Sequence, residues 1–267
     1  MSTTRTPVFL VLGAGAGIGG HVAARFAREG YHAVLARRSD EDGLARLVGA
    51  IEAGGGSATG MLVDASEDGS IEEMVAKVER DIGPITTALY NLGAQIGTRA
   101  LEDTPHRTFE LGWRLGCFGL YRLAHALFPA MVGRGGGTLI VTSATAAVRG
   151  NAGQHSHAAA MGGRRMLCQT LNAEFASKGI HVAHAIVDGP VDAPDTLGKM
   201  LGERFADFKA AKGEDGVLDP AAVAETYWHV AQQPRSVWTH ELDLRPWTDT
   251  PWWNDNPSTA IDTRPRR

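Results

Sequence analysis

The chain predicts a single-domain, doubly wound α/β fold, with one parallel sheet and helices on both faces. Three observations carry that expectation. Short apolar runs alternate with longer stretches of helical periodicity, a glycine cluster follows the first run directly, and no internal repeat or low-complexity linker divides residues 1–246. The 267 residues exceed the usual single-domain mode, but α/β chains of this size commonly close around one sheet, and 43% hydrophobic residues suffice for its core.

The first strand is Val8–Leu12, an unbroken apolar run that passes straight into Gly13-Ala14-Gly15-Ala16-Gly17-Ile18-Gly19-Gly20 and a helical stretch over 21–28. Residues 33–36 form the second strand, which ends in Arg37-Arg38, and residues 61–63 the third. Ile71, Met74, Val75 and Val78 share one face at helical spacing, so 71–80 is a helix packed on the sheet. Residues 87–90, 138–142 and 182–187 complete the buried strands, each short, mostly apolar and bounded by turn residues or helix patterns. Helix and loop over 194–216 place Leu197, Met200, Leu201, Phe205 and Phe208 at roughly helical spacing, either to cover a hydrophobic ligand or to pack on the core. Residues 247–267 are rich in Pro, Trp, Asp and Thr without periodicity and read as an irregular tail, which Trp252 and Trp253 could pin to the body or to a neighbouring subunit.

Composition narrows the partners. A formal net charge of −4 gives no electrostatic reason to expect nucleic acid or an acidic membrane. Cys117 and Cys168 are too few for a disulfide framework, residues 1–7 lack the pattern of a signal peptide, and the apolar runs are too short to span a bilayer. The expectation is a reduced, soluble, cytoplasmic protein that handles small molecules.

The glycine cluster says what one of them is. Glycines at a strand-to-helix turn let the backbone approach a pyrophosphate, and the free N–H groups of the helix start attract its charge. The run parses as GxxxGxG (Gly13, Gly17, Gly19) or as GxGxxG (Gly15, Gly17, Gly20), and its place after the first strand makes it the dinucleotide turn of a Rossmann fold. At the end of the second strand an acidic side chain usually holds the ribose 2′-hydroxyl. Here Arg37 and Arg38 offer guanidinium groups suited to a 2′-phosphate, and Asp40, Glu41 and Asp42 come too late in the chain to take the ribose position. The expected cofactor is NADP(H).

With these motifs, residues 7–246 resemble the short-chain dehydrogenase/reductase superfamily: the GxxxGxG spacing, Asp64 after the third strand, Asn91-Leu92-Gly93-Ala94 after the fourth, and the order of strands and helices all match. The resemblance implies that Ile18 and the glycines Gly13, Gly15, Gly17 and Gly19 hold the cofactor, that Asp64 meets the adenine, and that Asn91 and Gly93 support the adenosine side and the central sheet. From its own sequence context Asp64 could instead be a helix cap or turn residue, the less favoured reading. The family's Asn-Asn-Ala-Gly is altered here to Asn-Leu-Gly-Ala. After the sixth strand, Asp188-Gly189 replaces the family's Pro-Gly. Gly189 is still expected to turn the backbone at the nicotinamide end, and Asp188 is either a pocket carboxylate or a turn residue. Helices over 104–131 and 156–178 and a late strand over 237–244 match family subunit interfaces, which implies a homodimer or homotetramer.

The reacting end departs from the family. There a Tyr exchanges the proton, a Lys four residues later lowers its pKa and holds the nicotinamide ribose, a Ser polarises the carbonyl, and an Asn anchors a water relay. The matching positions in this chain are His157, Met161, Ala144 and Gly116. No shift of frame restores Tyr and Lys, because the nearby Tyr121 lies in the preceding helix pattern and no Lys occurs between Lys77 and Lys178. His157 is the remaining acid/base candidate: an imidazole titrates near ~6.5 against ~10 for a phenol, so it needs no neighbouring ammonium, although it could also simply fill the helix start. Ser143 adjoins the serine position and would serve if it faced the substrate, which strand alternation argues against. His155 and His157 are two residues apart with no Cys or carboxylate spaced to join them, so no metal is expected.

The leading expectation is an atypical NADP(H)-dependent oxidoreductase for a small, fairly apolar carbonyl, alcohol or activated alkene, with His157 in the place of the Tyr. By resemblance, the dienoyl-CoA reductase branch of the superfamily reduces conjugated alkenes without that Tyr. The alternatives are a lyase or isomerase that uses His157, with or without Asp188, and a nucleotide-binding protein without catalysis.

Overall fold

The computed structural model describes residues 5–93 and 97–254. Seven strands form one sheet in the order β3-β2-β1-β4-β5-β6-β7, parallel throughout. They are β1 (Val8–Leu12), β2 (His32–Arg37), β3 (Ser57–Leu62), β4 (Ile85–Tyr90), β5 (Gly137–Ala144), β6 (Ile180–Val187) and β7 (Glu241–Leu244). The helices are α1 (Ile18–Arg28), α2 (Glu41–Ala53), α3 (Ser70–Asp81), α4 (His106–Trp113), α5 (Gly119–Gly133), α6 (His155–Phe175), α7 (Lys199–Leu201), α8 (Arg204–Lys212) and α9 (Pro220–Ala231). Parallel strands need crossovers, and these helices supply them, as the alternating pattern requires.

Strand alternation builds two apolar layers. Leu10, Leu12, Tyr90, Leu139 and Val141 face α3, α5 and α6, whereas Phe9, Val11, Leu89 and Ile140 face α1, α2 and α9. Phe9 stacks on Phe26 of α1 with ring centroids 4.1 Å apart, which fixes α1 against β1 directly behind the glycine turn. Each fully buried side chain of this size contributes roughly 1.5–3 kcal/mol, so the layers hold the strand ends rigidly. The order in which strands are added reverses between β1 and β4, and the cleft at their carboxyl ends is where such sheets bind ligands.

Most expected elements extend by one to three residues at an end, and two strands start four residues away from the expected position. β3 starts at Ser57, four residues before the expected 61–63, because this edge strand exposes alternate residues and has no continuous apolar run. The last strand begins at Glu241, not 237, because the Thr239 amide is taken by Gln233 Oε1 at 2.7 Å and the Trp238 indole by Gln233 O. One expectation needs correction. The helical run His106–Gly133 is long and apolar enough by composition to cross a membrane, contrary to the reading that all apolar runs are too short. Half of it is buried within the protein, and its buried residues Leu120, Leu123, Leu127 and Phe128 belong to the core layer, as in the core helix of a globular domain.

That run also carries a π-helical turn, Arg114–Phe118, between α4 and α5. A π turn displaces the helical hydrogen bonds and leaves carbonyls for other donors. Leu115 O accepts the Tyr90 hydroxyl, and Gly116 O accepts Arg164 Nε.

Candidate active site

The glycine turn is shaped by close approach of three segments. Gly13 has φ +103°, in the left-handed region, and a Cβ there would lie 2.7 Å from the Asn91 carbonyl. A Cβ on Gly17 would lie 2.8 Å from Ala193 Cβ, so the segment after β6 rests on the turn. Asn91 Nδ2 closes the arrangement by donating to Gly13 O at 3.0 Å. Gly17 caps α1 without a side-chain acceptor, and the first turn of α1 has no acid, so that helix start supplies no anion of its own.

Around the turn lies a cavity of about 430 Å³, lined by Gly13, Gly15, Gly17, Ile18, Gly19, Arg37, Arg38, Asp64, Asn91 and Gly93 among others. Of the cofactor residues expected from sequence, Gly189 lies elsewhere. A Cβ on it would meet Pro246 Cδ at 2.5 Å, so its bare backbone accommodates the C-terminal segment. Ala94, the last residue of the segment after β4, lies outside the described residues.

Charge is unevenly committed at the adenosine end. Arg37 Nη2 pairs with Asp40 at 3.1 Å and stands 3.8 Å from Asp195, whereas Arg38 is exposed and lines the same cavity. Asp40 also caps α2 by accepting the Gly43 amide at 2.9 Å, and that bond, with Arg37 nearby, holds its carboxyl below the ordinary value. At Asp64 burial works against ionisation. The amide and hydroxyl of Ser66, at 2.9 and 2.6 Å, together with the charge of Arg38, outweigh it and hold this carboxyl low as well. Asp64 is thus a turn residue that also lines the cavity.

Ser143 and Ala144 at the end of β5, and His157 and Met161 in the first turns of α6, are not among the residues that line this cavity. Ser143 is buried, with its Oγ 3.7 Å from Met161 Sδ, and Met161 packs with Ala146 and Ala160 in a small apolar cluster. Ala144 and His157 are both half-buried. Ser156, beside His157, anchors α6 to α4 by donating to Phe109 O at 2.9 Å. Beneath them lies a residue that sequence reasoning missed. Arg164 is 1% exposed, and its guanidinium donates to Gly116 O, Thr142 O and Leu92 O, the last at 2.8 Å. Its carbon lies 5.0 Å from the centre of the Tyr90 ring. Burial pushes the guanidinium below its ordinary value, but an arginine stays charged in proteins, so the cation is held by peptide dipoles and a ring face. The available signal was the stripe Ala160, Arg164, Cys168, Leu171, in which one arginine sits at core spacing among apolar residues.

Asp188, left open as a pocket carboxylate or turn residue, holds the C-terminal segment: its Oδ2 accepts Arg245 Nε at 2.8 Å and the Trp252 amide at 3.0 Å. Trp252 further donates to Asp243 and accepts from Arg149 in the loop before α6, while Arg245 lies over the Trp253 ring at 4.8 Å. Both tryptophans therefore dock on the body of this chain. The tail beyond Asn254 lies outside the described residues.

A dinucleotide fits this donor set. Backbone amides at a glycine-lined turn suit a pyrophosphate, Arg37 Nη1 is a buried donor without a hydrogen-bond partner among the described residues, and Arg38 adds a second cation at the same end.

A family model described as short chain dehydrogenase matches residues 7–200, well over half of the chain. Among curated proteins, the short-chain reductase protein NovJ of Streptomyces niveus is 32% identical over 204 residues, covering 76% of each chain. Among solved structures, a short-chain dehydrogenase from Rhodopseudomonas palustris is 31% identical with a TM-score of 0.76, covering 91% of this chain and all of the other. A gluconate 5-dehydrogenase from Burkholderia cenocepacia, solved with NADP and tartrate, shares the fold at 20% identity and a TM-score of 0.77, covering 91% of this chain and 94% of the other.

Proposed function

The chain belongs to the short-chain dehydrogenase/reductase family, and on that premise we propose that it is an NADP(H)-dependent oxidoreductase for a small, apolar carbonyl, alcohol or activated alkene. One observation carries the reading: a single cavity is lined by the glycine turn and by both Arg37 and Arg38. In this assignment the amides at Gly17 and Ile18 bind the pyrophosphate, Arg38 with Arg37 takes the 2′-phosphate, and Asp64 meets the adenine. The cofactor, when bound, supplies or accepts the hydride. What the chain adds is orientation and one proton, and His157 is the group we assign to carry that proton at the substrate oxygen or carbon.

Ser143 and Met161 support the absence of the family's usual proton chemistry. Their side chains pack against each other, and the Gly116 carbonyl is engaged by Arg164. Asp188 is committed to Arg245 and Trp252, which counts against its use as a second catalytic group beside His157 in the lyase or isomerase alternative. The test is transfer of deuterium from labelled NADPH to a panel of ketones, aldehydes and conjugated alkenes. Stereospecific transfer to one class supports the reading. NADPH binding without transfer to any of them leaves a nucleotide-binding protein without redox chemistry.

A further inference from the structure

The nucleotide cleft already contains an anionic group, and the protein itself supplies it. Asp195 lies in the turn Pro194–Gly198 that follows β6 and lines the cavity with the glycine turn, Arg37 and Arg38. Its Oδ2 accepts the Ala16 amide at 3.2 Å and stands 3.8 Å from Arg37 Nη2, and its Oδ1 is 3.7 Å from Lys199 Nζ. The contact of Ala193 with the open face of Gly17 delivers this carboxylate to the cleft. Carboxylate and phosphate oxygens accept from the same donors, a backbone N–H and a guanidinium fork, so they compete for them. Asp40 also holds Arg37, but it is a cap of α2, whereas the contacts of Asp195 lie in the nucleotide turn, β2 and its own segment.

We propose that Asp195 determines nucleotide specificity: it occupies the donors at Ala16 and Arg37, and a cofactor bearing a 2′-phosphate must displace it. The proposal rests on the assignment of this cleft to NADP(H). A 2′-phosphate and the Asp195 carboxylate repel each other across Arg37, whereas a 2′-hydroxyl can donate to that carboxylate. Asp195 therefore tempers the preference for NADPH that the two arginines create. Its displacement also frees residues 194–201 from the glycine turn, so that cofactor binding and the position of this segment are coupled.

The experiment compares wild type, Asp195→Asn and Asp195→Ala by calorimetric titration with NADPH and NADH, and by amide hydrogen exchange without nucleotide. The Asn variant keeps the shape and removes the charge, so NADPH should bind about tenfold tighter, the scale of one charge-assisted contact, while NADH changes little. In nucleotide-free Asp195→Ala the Ala16 amide and residues 194–201 should exchange faster than in wild type. Unchanged or weaker NADPH binding by the Asn variant, with wild type still binding NADPH, overturns the role of Asp195 and leaves the cofactor assignment standing. Unchanged exchange at Ala16 in the Ala variant overturns the contact itself. Failure of all three proteins to bind NADPH overturns the cofactor assignment, and this inference with it.

Discussion

The Ser143 hydroxyl meets the Met161 sulfur at 3.7 Å, with both side chains buried where β5 passes under α6. A thioether is a weak acceptor, so this contact orients the hydroxyl without activating it. It also shows where the side chain at 161 goes: inward, against Ala146 and Ala160.

Met161→Lys should therefore destabilise the protein. An ammonium at a site 2% exposed, on the same helix as the buried cation of Arg164, costs on the order of 2–4 kcal/mol. Urea unfolding reads this directly, and ketone reduction should not improve with it. Unchanged stability together with a faster rate would mean that the side chain at 161 turns into the cleft.

Arg38→Ala should weaken NADPH binding by about 1.5–3 kcal/mol, the range for a hydrogen bond to a charged group, and leave NADH nearly unchanged. The effect of Arg37→Ala should be smaller, because Arg37 is already shared with Asp40 and Asp195. Calorimetric titration of both variants with both nucleotides checks the order. Equal losses for NADH and NADPH would remove the 2′-phosphate assignment.

His157→Phe keeps a planar ring and deletes the exchangeable proton. Turnover on the true substrate should fall by about 10²- to 10⁴-fold, the usual contribution of a general acid or base, with NADPH affinity preserved. Full turnover in the Phe variant would make His157 a structural residue of the α6 start.

Acid should destabilise the β6–β7 edge. Burial holds the His184 imidazole down at about 4, against 6.5 for an open chain, even though Glu241 stands 3.0 Å from its Nδ1. Glu241 is itself kept ionised chiefly by hydrogen bonds from Arg165, so the neutral His184 donates to it. Below pH 6.5 the unfolded chain binds a proton that the folded chain refuses, so stability is full above that pH and declines as the pH drops toward 4. The loss is of order 3 kcal/mol. Urea midpoints from pH 7 to 4.5 measure it, with His184→Gln as the control that flattens the slope; a flat wild-type profile would contradict the assignment.

The sequence was most legible where structure is local. Val8–Leu12 was delimited to the residue because five buried apolar side chains lie between Pro7 and Gly13. The glycine turn that lines the cavity was readable for the same reason, since a strand, a glycine run and a helix start adjoin in the chain. Arg164 and Asp195 were not readable as site residues. Arg164 draws on carbonyls 22 to 72 residues away, and Asp195 reaches an amide 179 residues upstream. Periodicity describes which way a side chain faces along its own element, and nothing in it reports a partner at such separation. The role of Asp188 stayed open for the same reason, since Arg245 and Trp252 lie 57 and 64 residues away.

Arg164 bears on how this chain could change over generations. Its guanidinium binds the carbonyls at positions 92, 116 and 142, and the last of these adjoins the serine that packs on Met161. Replacing Arg164 alone strands one buried and two half-buried carbonyls, and adding a lysine at 161 alone places a second cation three residues away on the same helix, at a buried site. Either change alone therefore passes through a less stable protein. The buried cation thereby ties three chain segments to one side chain, so that change at position 164 is constrained by folding stability whatever chemistry the cleft performs.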